Sequence, residues 1–143
     1  MTALEHLTAL YRDYLESYAQ RVVDNGPLHG LHKFLLGSST PNDRKADTAF
    51  FQAVERAAAD LWDADEDIAA LAVRYMILET EGFDDSSRLM IEAAQGLAIP
   101  LVDRLSREDA AAILADYKVR YPKKRLLSPK QRQLLAALEQ KAN

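Results

Sequence analysis

EDIAALAVRYMILETE, residues 66–81, is the stretch that decides the fold of this chain. Ten of the eleven side chains from 68–78 are apolar, and Arg74 is the exception. Such a run makes about three helical turns, which is longer than an ordinary strand. A helix that is apolar around most of its circumference belongs inside a fold. We therefore predict a central helix over residues 66–81, in which Leu71→Ala or Ile77→Ala costs about 2–5 kcal/mol of folding free energy.

The composition is that of a single folded domain over residues 1–143. The chain is 48% hydrophobic and 28% charged, which is enough to bury a core and argues against disorder. The absence of cysteine excludes disulfides and thiolate-bound metals. The N-terminal sequence is acidic and amphipathic, and no apolar run reaches membrane-spanning length. We therefore expect a cytoplasmic protein without membrane contacts.

Start and stop signals divide the chain into about six helices. Strong starts combine a hydroxyl side chain with an acid or amide three residues later, and prolines mark stops or kinks. We predict an all-α, single-domain bundle whose helices pack around the central one. The signals are Thr2 with Glu5, Thr40 before Pro41, Ser106 with Asp109, Ser128 with Gln131, and the breaks at Pro100 and Pro122.

A weak internal repeat supports a second architecture. Residues 66–71 resemble residues 108–113 at an offset of 42, and Tyr75 then corresponds to Tyr117. A period of this length is typical of paired-helix repeats. A short helical-repeat solenoid is therefore the alternative to the bundle.

The net charge of −4 is unevenly distributed along the chain. Residues 1–116 hold 10 of the Lys and Arg and 21 of the Asp and Glu, a net charge of −11. Residues 117–143 hold 8 of the Lys and Arg and 1 of the Asp and Glu, a net charge of +7. The chain thus consists of an acidic body and a basic C-terminal segment, residues 118–143.

The charges near the end of the central helix form the candidate partner-binding surface. Acids gather there although a helix C-terminus favours cations, so something cationic should compensate them. The nearest supply is the short basic run after Pro122, which predicts either self-docking or contact with a partner. The candidates are Glu79, Glu81, Asp84 and Asp85 on the acidic side, and Lys123, Lys124 and Arg125 on the basic side.

Arg74 is the single cation in the central helix. A guanidinium in such a position reaches the surface along its stem or pairs with a carboxylate. We expect an ion pair, and the alternative is an anion-binding role.

His29 and His32 are the weak candidates for metal ligands because they lie one helical turn apart. No Glu-x-x-His or His-Glu-x-x-His motif is present. The acids at 63–67 do not begin a calcium loop, because the sixth position is Ile68 and the twelfth is Arg74. The sequence therefore predicts no bound cofactor.

Three functions remain open. The first is binding of a basic protein partner through the acidic surface, without catalysis; small acidic proteins such as toxin-immunity proteins and adaptors are similar in charge and size. The second is a metal-dependent enzyme or metal-binding protein that uses His29 and His32. The third is nucleic-acid binding through residues 118–143, which the negative body disfavours because it repels phosphates. Self-association is compatible with each.

Overall fold

The computed structural model describes residues 1–25, 41–80, 92 and 94–143, without the side chains of residues 19, 21–25 and 41–44. These residues form six α-helices and two short 3₁₀ helices, and none of them lies in a strand. The all-α prediction is confirmed. The α-helices are α1 Ala3–Asn25, α2 Pro41–Asp60, α3 Glu66–Leu78, α4 Ile99–Val102, α5 Arg107–Arg120 and α6 Pro129–Ala142; the 3₁₀ helices are Gln95–Ala98 and Lys124–Leu126.

The helices begin where local capping chemistry satisfies their first backbone amides. At α1, the Thr2 amide donates to Glu5 Oε2 at 2.9 Å and the Glu5 amide donates to Thr2 Oγ1 at 3.1 Å. The hydroxyl of Ser106 accepts from the amide of Asp109 at 3.0 Å and starts α5. Each bond satisfies a donor that has no partner within the helix, so these start signals act as the sequence predicts.

The central helix α3 is shorter than the sequence predicts. Its N-cap residue, Asp65, makes no side-chain capping bond, and the helix ends at Leu78 rather than at residue 81. The amide of Glu79 donates to the carbonyls of Arg74 at 3.2 Å and Tyr75 at 3.3 Å, and Glu79 leaves helical geometry. The predicted end was wrong because an apolar pattern continues to Leu78 but carries no stop signal that fixes the last turn.

Three contacts show how pairs of the described helices pack against each other. In the first, the Tyr14 hydroxyl of α1 donates to Asp47 of α2 at 2.8 Å. In the second, Arg104 after α4 donates to the carbonyl of Ala64 before α3 at 3.2 Å, so α3 begins where α4 ends. In the third, Arg107 at the start of α5 donates to the carbonyl of Ala142 at the end of α6 at 3.3 Å.

α3 and α5 lie side by side and parallel. Arg74 Nη1 donates to Asp116 Oδ2 at 2.6 Å, and Arg120 Nη1 donates to the carbonyl of Leu78 at 3.2 Å. Both contacts join residues 42 positions apart in the chain. The weak repeat in the sequence therefore has a structural counterpart, because its two copies pack against each other in register. This register is the one that the repeat interpretation requires.

The core gathers on one side of α3. This helix contacts α1, α4, α5 and the first 3₁₀ helix. Its inward side chains are fully or almost fully buried, whereas Leu71 is 56% exposed and Ile68 is 37% exposed. The prediction that Leu71 lies in the core is wrong, because the neighbours of α3 that the structure describes cover its other side. The buried residues of α3 are Ala69, Ala72, Val73, Met76 and Ile77.

Because α3 is buried on one side, truncating Ile77 and truncating Leu71 should change the free energy of unfolding by different amounts. Ile77→Ala should cost about 2–5 kcal/mol of unfolding free energy because Ile77 is fully buried. Leu71→Ala should change it by about 0.5 kcal/mol or less, as is usual for surface substitutions. Urea unfolding of both variants measures the difference. Equal losses at the two positions would contradict the burial of α3 on one side.

The start of α6 provides a second stability test. Ser128 and Gln131 form a capping box: the Ser128 amide donates to Gln131 Oε1 at 2.9 Å, and the Gln131 amide donates to Ser128 Oγ at 3.3 Å. Ser128→Ala should destabilise the protein by about 1 kcal/mol, and Ser128→Asp should restore most of the loss because aspartate also caps. Thermal unfolding of the two variants distinguishes a capping role from simple side-chain removal.

Candidate partner-binding site

A groove of about 330 Å³ runs between α3 and α5. The residues that line it from α3 recur every three or four positions and so share one face of that helix. Because α3 and α5 are parallel and in register, their first turns are neighbours, and Asp67 and Asp109 line the same end of the groove. The lining comprises Asp67, Ala70, Leu71, Arg74, Asp109 and Ile113.

The Arg74–Asp116 ion pair crosses the groove between the two helices. The expected pairing of Arg74 is confirmed, and this guanidinium is not available as a free anion-binding group. Asp67 and Asp109 make no ion pair within the described ranges. The groove therefore contains two carboxylates that have no ion-pair partner in the described part of the chain.

Acids concentrate at the end of the molecule where α3 and α5 begin. The acids at 63–67 precede and begin α3, where side-chain caps are common, yet the side chain of Asp65 makes no capping bond. Their stabilising contribution is the favourable interaction of negative charge with helix N-termini. Except for the half-buried Asp109, their side chains are exposed. This acidic end comprises Asp60, Asp63, Asp65, Glu66, Asp67, Glu108 and Asp109.

The acidic end also carries exposed apolar surface. Leu71 and Ile68 lie on the outer face of α3, and Trp62 in the α2–α3 connection is 44% exposed. Trp62 borders a second groove of about 460 Å³ between the end of α2 and α4, whose lining includes Asp63 and Leu97. Exposed apolar side chains framed by charged ones are the usual composition of a protein interface.

The acids predicted as a binding surface are only partly described. Glu79 is exposed and follows the last residue of α3. Burial raises the pKa of the neighbouring Tyr75; Arg12 lowers it, and the Glu79 carboxylate raises it further. Glu81, Asp84 and Asp85 lie outside the described residues. Their role as a surface remains a prediction.

The predicted basic residues are all exposed. Lys123, Lys124 and Arg125 lie in the α5–α6 connection, and none makes an ion pair with an acid in the described part of the chain. The connection is nevertheless ordered, because Arg132 Nη2 donates to the carbonyl of Arg125 at 3.1 Å and Leu127 is buried. The three cations are therefore exposed side chains on an ordered turn.

A different cation compensates the end of α3. The guanidinium of Arg120 donates to the carbonyl of Leu78 and lies 5.7 Å from the centre of the Tyr121 ring. Arg120 belongs to the basic segment 118–143, so that segment does contact the body. Sequence spacing did not single out Arg120, although its distance of 42 from Leu78 matches the repeat offset.

A buried polar network joins α5, α6 and the first 3₁₀ helix. Gln95 Oε1 accepts from the Tyr117 hydroxyl at 2.8 Å and from Gln131 Nε2 at 3.2 Å. Gln95 Nε2 donates to the Tyr121 hydroxyl at 3.0 Å. Gln95 and Gln131 are both buried, and each of their side-chain oxygens and nitrogens makes at least one bond, either in this network or in the α6 cap. The network therefore has a structural role, and no motif or periodicity in the sequence indicates it.

No group of three or more His, Asp or Glu side chains that could hold a metal occurs in the described ranges. His29 and His32 lie outside those ranges, so the metal hypothesis remains a prediction. Of the helices that the structure describes, none is both long enough and apolar enough to cross a membrane.

Comparison with protein-family models, with curated proteins and with solved structures finds no match to this chain. The case for a function therefore depends on the groove, the charges and the exposed side chains themselves.

Alkaline pH should weaken the fold through Tyr117. Burial, aided by the neighbouring Tyr121 and Glu92, raises the pKa of its hydroxyl above the ordinary value of 10.0. The unfolded chain therefore loses this proton first, so stability present below pH about 10 should fall as the pH rises further. Tyr117→Phe should cost about 1 kcal/mol at pH 8 by removing the bond to Gln95, yet show a shallower alkaline loss. Urea unfolding at neutral and alkaline pH tests this, and parallel losses in both proteins would contradict it.

Proposed function

We propose that this chain is a non-catalytic binding protein that takes a basic segment of a protein partner into the α3–α5 groove. The observation that carries the proposal is the exposure of Leu71 from the most apolar helix, at a groove flanked by Asp67 and Asp109. The basic partner expected from the sequence is retained. The surface assigned to it is the acidic end rather than the acids around Glu79.

The apolar part of the groove supports a partner that supplies an apolar side chain. Leu71 and Ala70 on α3 face Ile113 on α5 along the same groove. Covering an exposed leucine removes apolar area from water, which contributes about 25 cal/mol per Å² before the costs of association. A partner that carries a single well-placed leucine, methionine or aromatic side chain suits this lining.

The charges support a partner with lysine or arginine on one side of that anchor, since Asp67 and Asp109 lie at the same end of the groove. Arg74 is already paired with Asp116, so it does not cancel the carboxylates of Asp67 and Asp109. Further acids lie at the starts of the two helices and outnumber the cations Arg104 and Arg107 at this end, so the charge there is net negative. Such a field raises association rates with cationic partners and repels anionic ones.

Selection of random displayed peptides on the folded chain tests the proposal. Enriched peptides should combine lysine or arginine with one apolar side chain, and their affinity should fall as salt is raised because the charges are exposed. Calorimetry with one such peptide should show binding at least about tenfold weaker to Leu71→Ser and to the double variant Asp67→Asn/Asp109→Asn.

Val119→Ser is the matched control. Val119 is also on this pair of helices and is 81% exposed, but it does not line the groove. Its substitution should leave peptide binding unchanged. Enrichment of acidic peptides, or equal effects of Leu71→Ser and Val119→Ser, would count against the groove as the binding site.

A further inference from the structure

We propose that a basic partner of the α3–α5 groove is a second copy of this chain, which inserts the tip of its α5–α6 connection. The tip comprises residues 123–126, with Lys123, Lys124, Arg125 and Leu126. This inference rests on the proposed function, since it names the occupant of the same groove. The two copies form a two-fold dimer in which each tip enters the other copy's groove.

The tip has the composition that the groove requires. Its three cations are exposed and unpaired within the described residues, and Leu126 beside them is 71% exposed. The groove offers the carboxylates of Asp67 and Asp109 and the apolar side chains of Leu71 and Ile113. One leucine that follows three cations thus meets an apolar lining with two acids at one end.

The tip is also ordered before it binds. Residues Lys124–Leu126 form a 3₁₀ helix, and Leu127, which follows it, is buried. The Arg132 side chain bonds the carbonyl of Arg125 and closes the turn from the α6 side. A surface held in its binding shape loses little conformational freedom on association, which favours a stable contact.

The tip cannot reach the groove of its own copy. Asp109 lies in the first turn of α5, whereas the tip follows the end of that helix at Arg120. Eleven residues of α-helix separate these positions by about 16 Å, so the groove and the tip are at opposite ends of α5. When two copies pair with their α5 helices antiparallel, each tip comes to the other's groove, and one two-fold axis satisfies both contacts.

Sedimentation velocity of the full chain tests the dimer. The dimer fraction should increase with protein concentration at low salt and decrease when salt is raised to about 1 M, where the Debye length is about 3 Å. Lys123→Glu/Lys124→Glu/Arg125→Glu and Asp67→Lys/Asp109→Lys should each sediment as monomers. An equimolar mixture of these two variants should form a heterodimer, because both contacts then regain opposite charges.

Two further variants keep the test independent of folding and of net charge. Leu126→Ser removes an exposed side chain outside the core and should weaken the dimer at least about tenfold. Asp13→Lys/Glu16→Lys makes the same change in net charge as the groove reversal, at exposed positions of α1, and should leave dimerisation unchanged.

Two results would overturn the inference. One is a monomer at every concentration at low salt, and the other is a mixture of the two reversed variants that fails to associate although both are folded by circular dichroism. Either result can be distinguished from a failure of the proposed function. A monomeric chain whose groove still binds the selected basic peptides would retain that function with another partner.

Discussion

The parallel, in-register packing of α3 on α5 is the constraint on which the rest of the structure depends. The Arg74–Asp116 ion pair and the bond from Arg120 to the Leu78 carbonyl fix it at two levels along the helices. Parallel helices bring their N-termini to one end, so acids that suit each helix dipole accumulate there. The same packing places the first part of the basic segment, residues 118–126, at the opposite end, and α6 then returns toward the start of α5. The uneven distribution of charge along the sequence thus becomes a difference in charge between the two ends of the α3–α5 pair.

Local features of this fold follow from the sequence, because the chemistry that produces them spans a few residues. A hydroxyl and an amide three positions apart are enough to start α6 at Ser128. A proline is enough to prevent α5 from continuing past Tyr121. The burial of Tyr117 also follows from its position on an apolar stripe. The partners of its hydroxyl do not, because Gln95 and Gln131 are distant in the chain and carry no periodic signal.

The candidate site was less predictable than the fold. An apolar run does not show which of its faces the neighbouring helices will cover, so Leu71 and Ile77 look equivalent until α5 is placed. The acids at 63–67 already have an explanation as helix-start residues, so the sequence did not indicate that Asp67 lines a groove. The offset of 42 is the one signal that could have indicated the groove, since the same offset that relates α3 to α5 also relates Asp67 to Asp109.

Gln95 restricts which substitutions can accumulate at the positions to which it is hydrogen-bonded. Its amide oxygen is shared by donors from α5 and α6, and its nitrogen bonds a third side chain. A buried amide that loses one partner leaves a polar atom unsatisfied, whereas an apolar side chain of similar shape in its place needs no partner at all. The residues at positions 95, 117 and 131 should therefore co-vary among relatives of this chain, so that all three are polar or all three are apolar. Such joint variation would tie together three segments that are far apart along the chain.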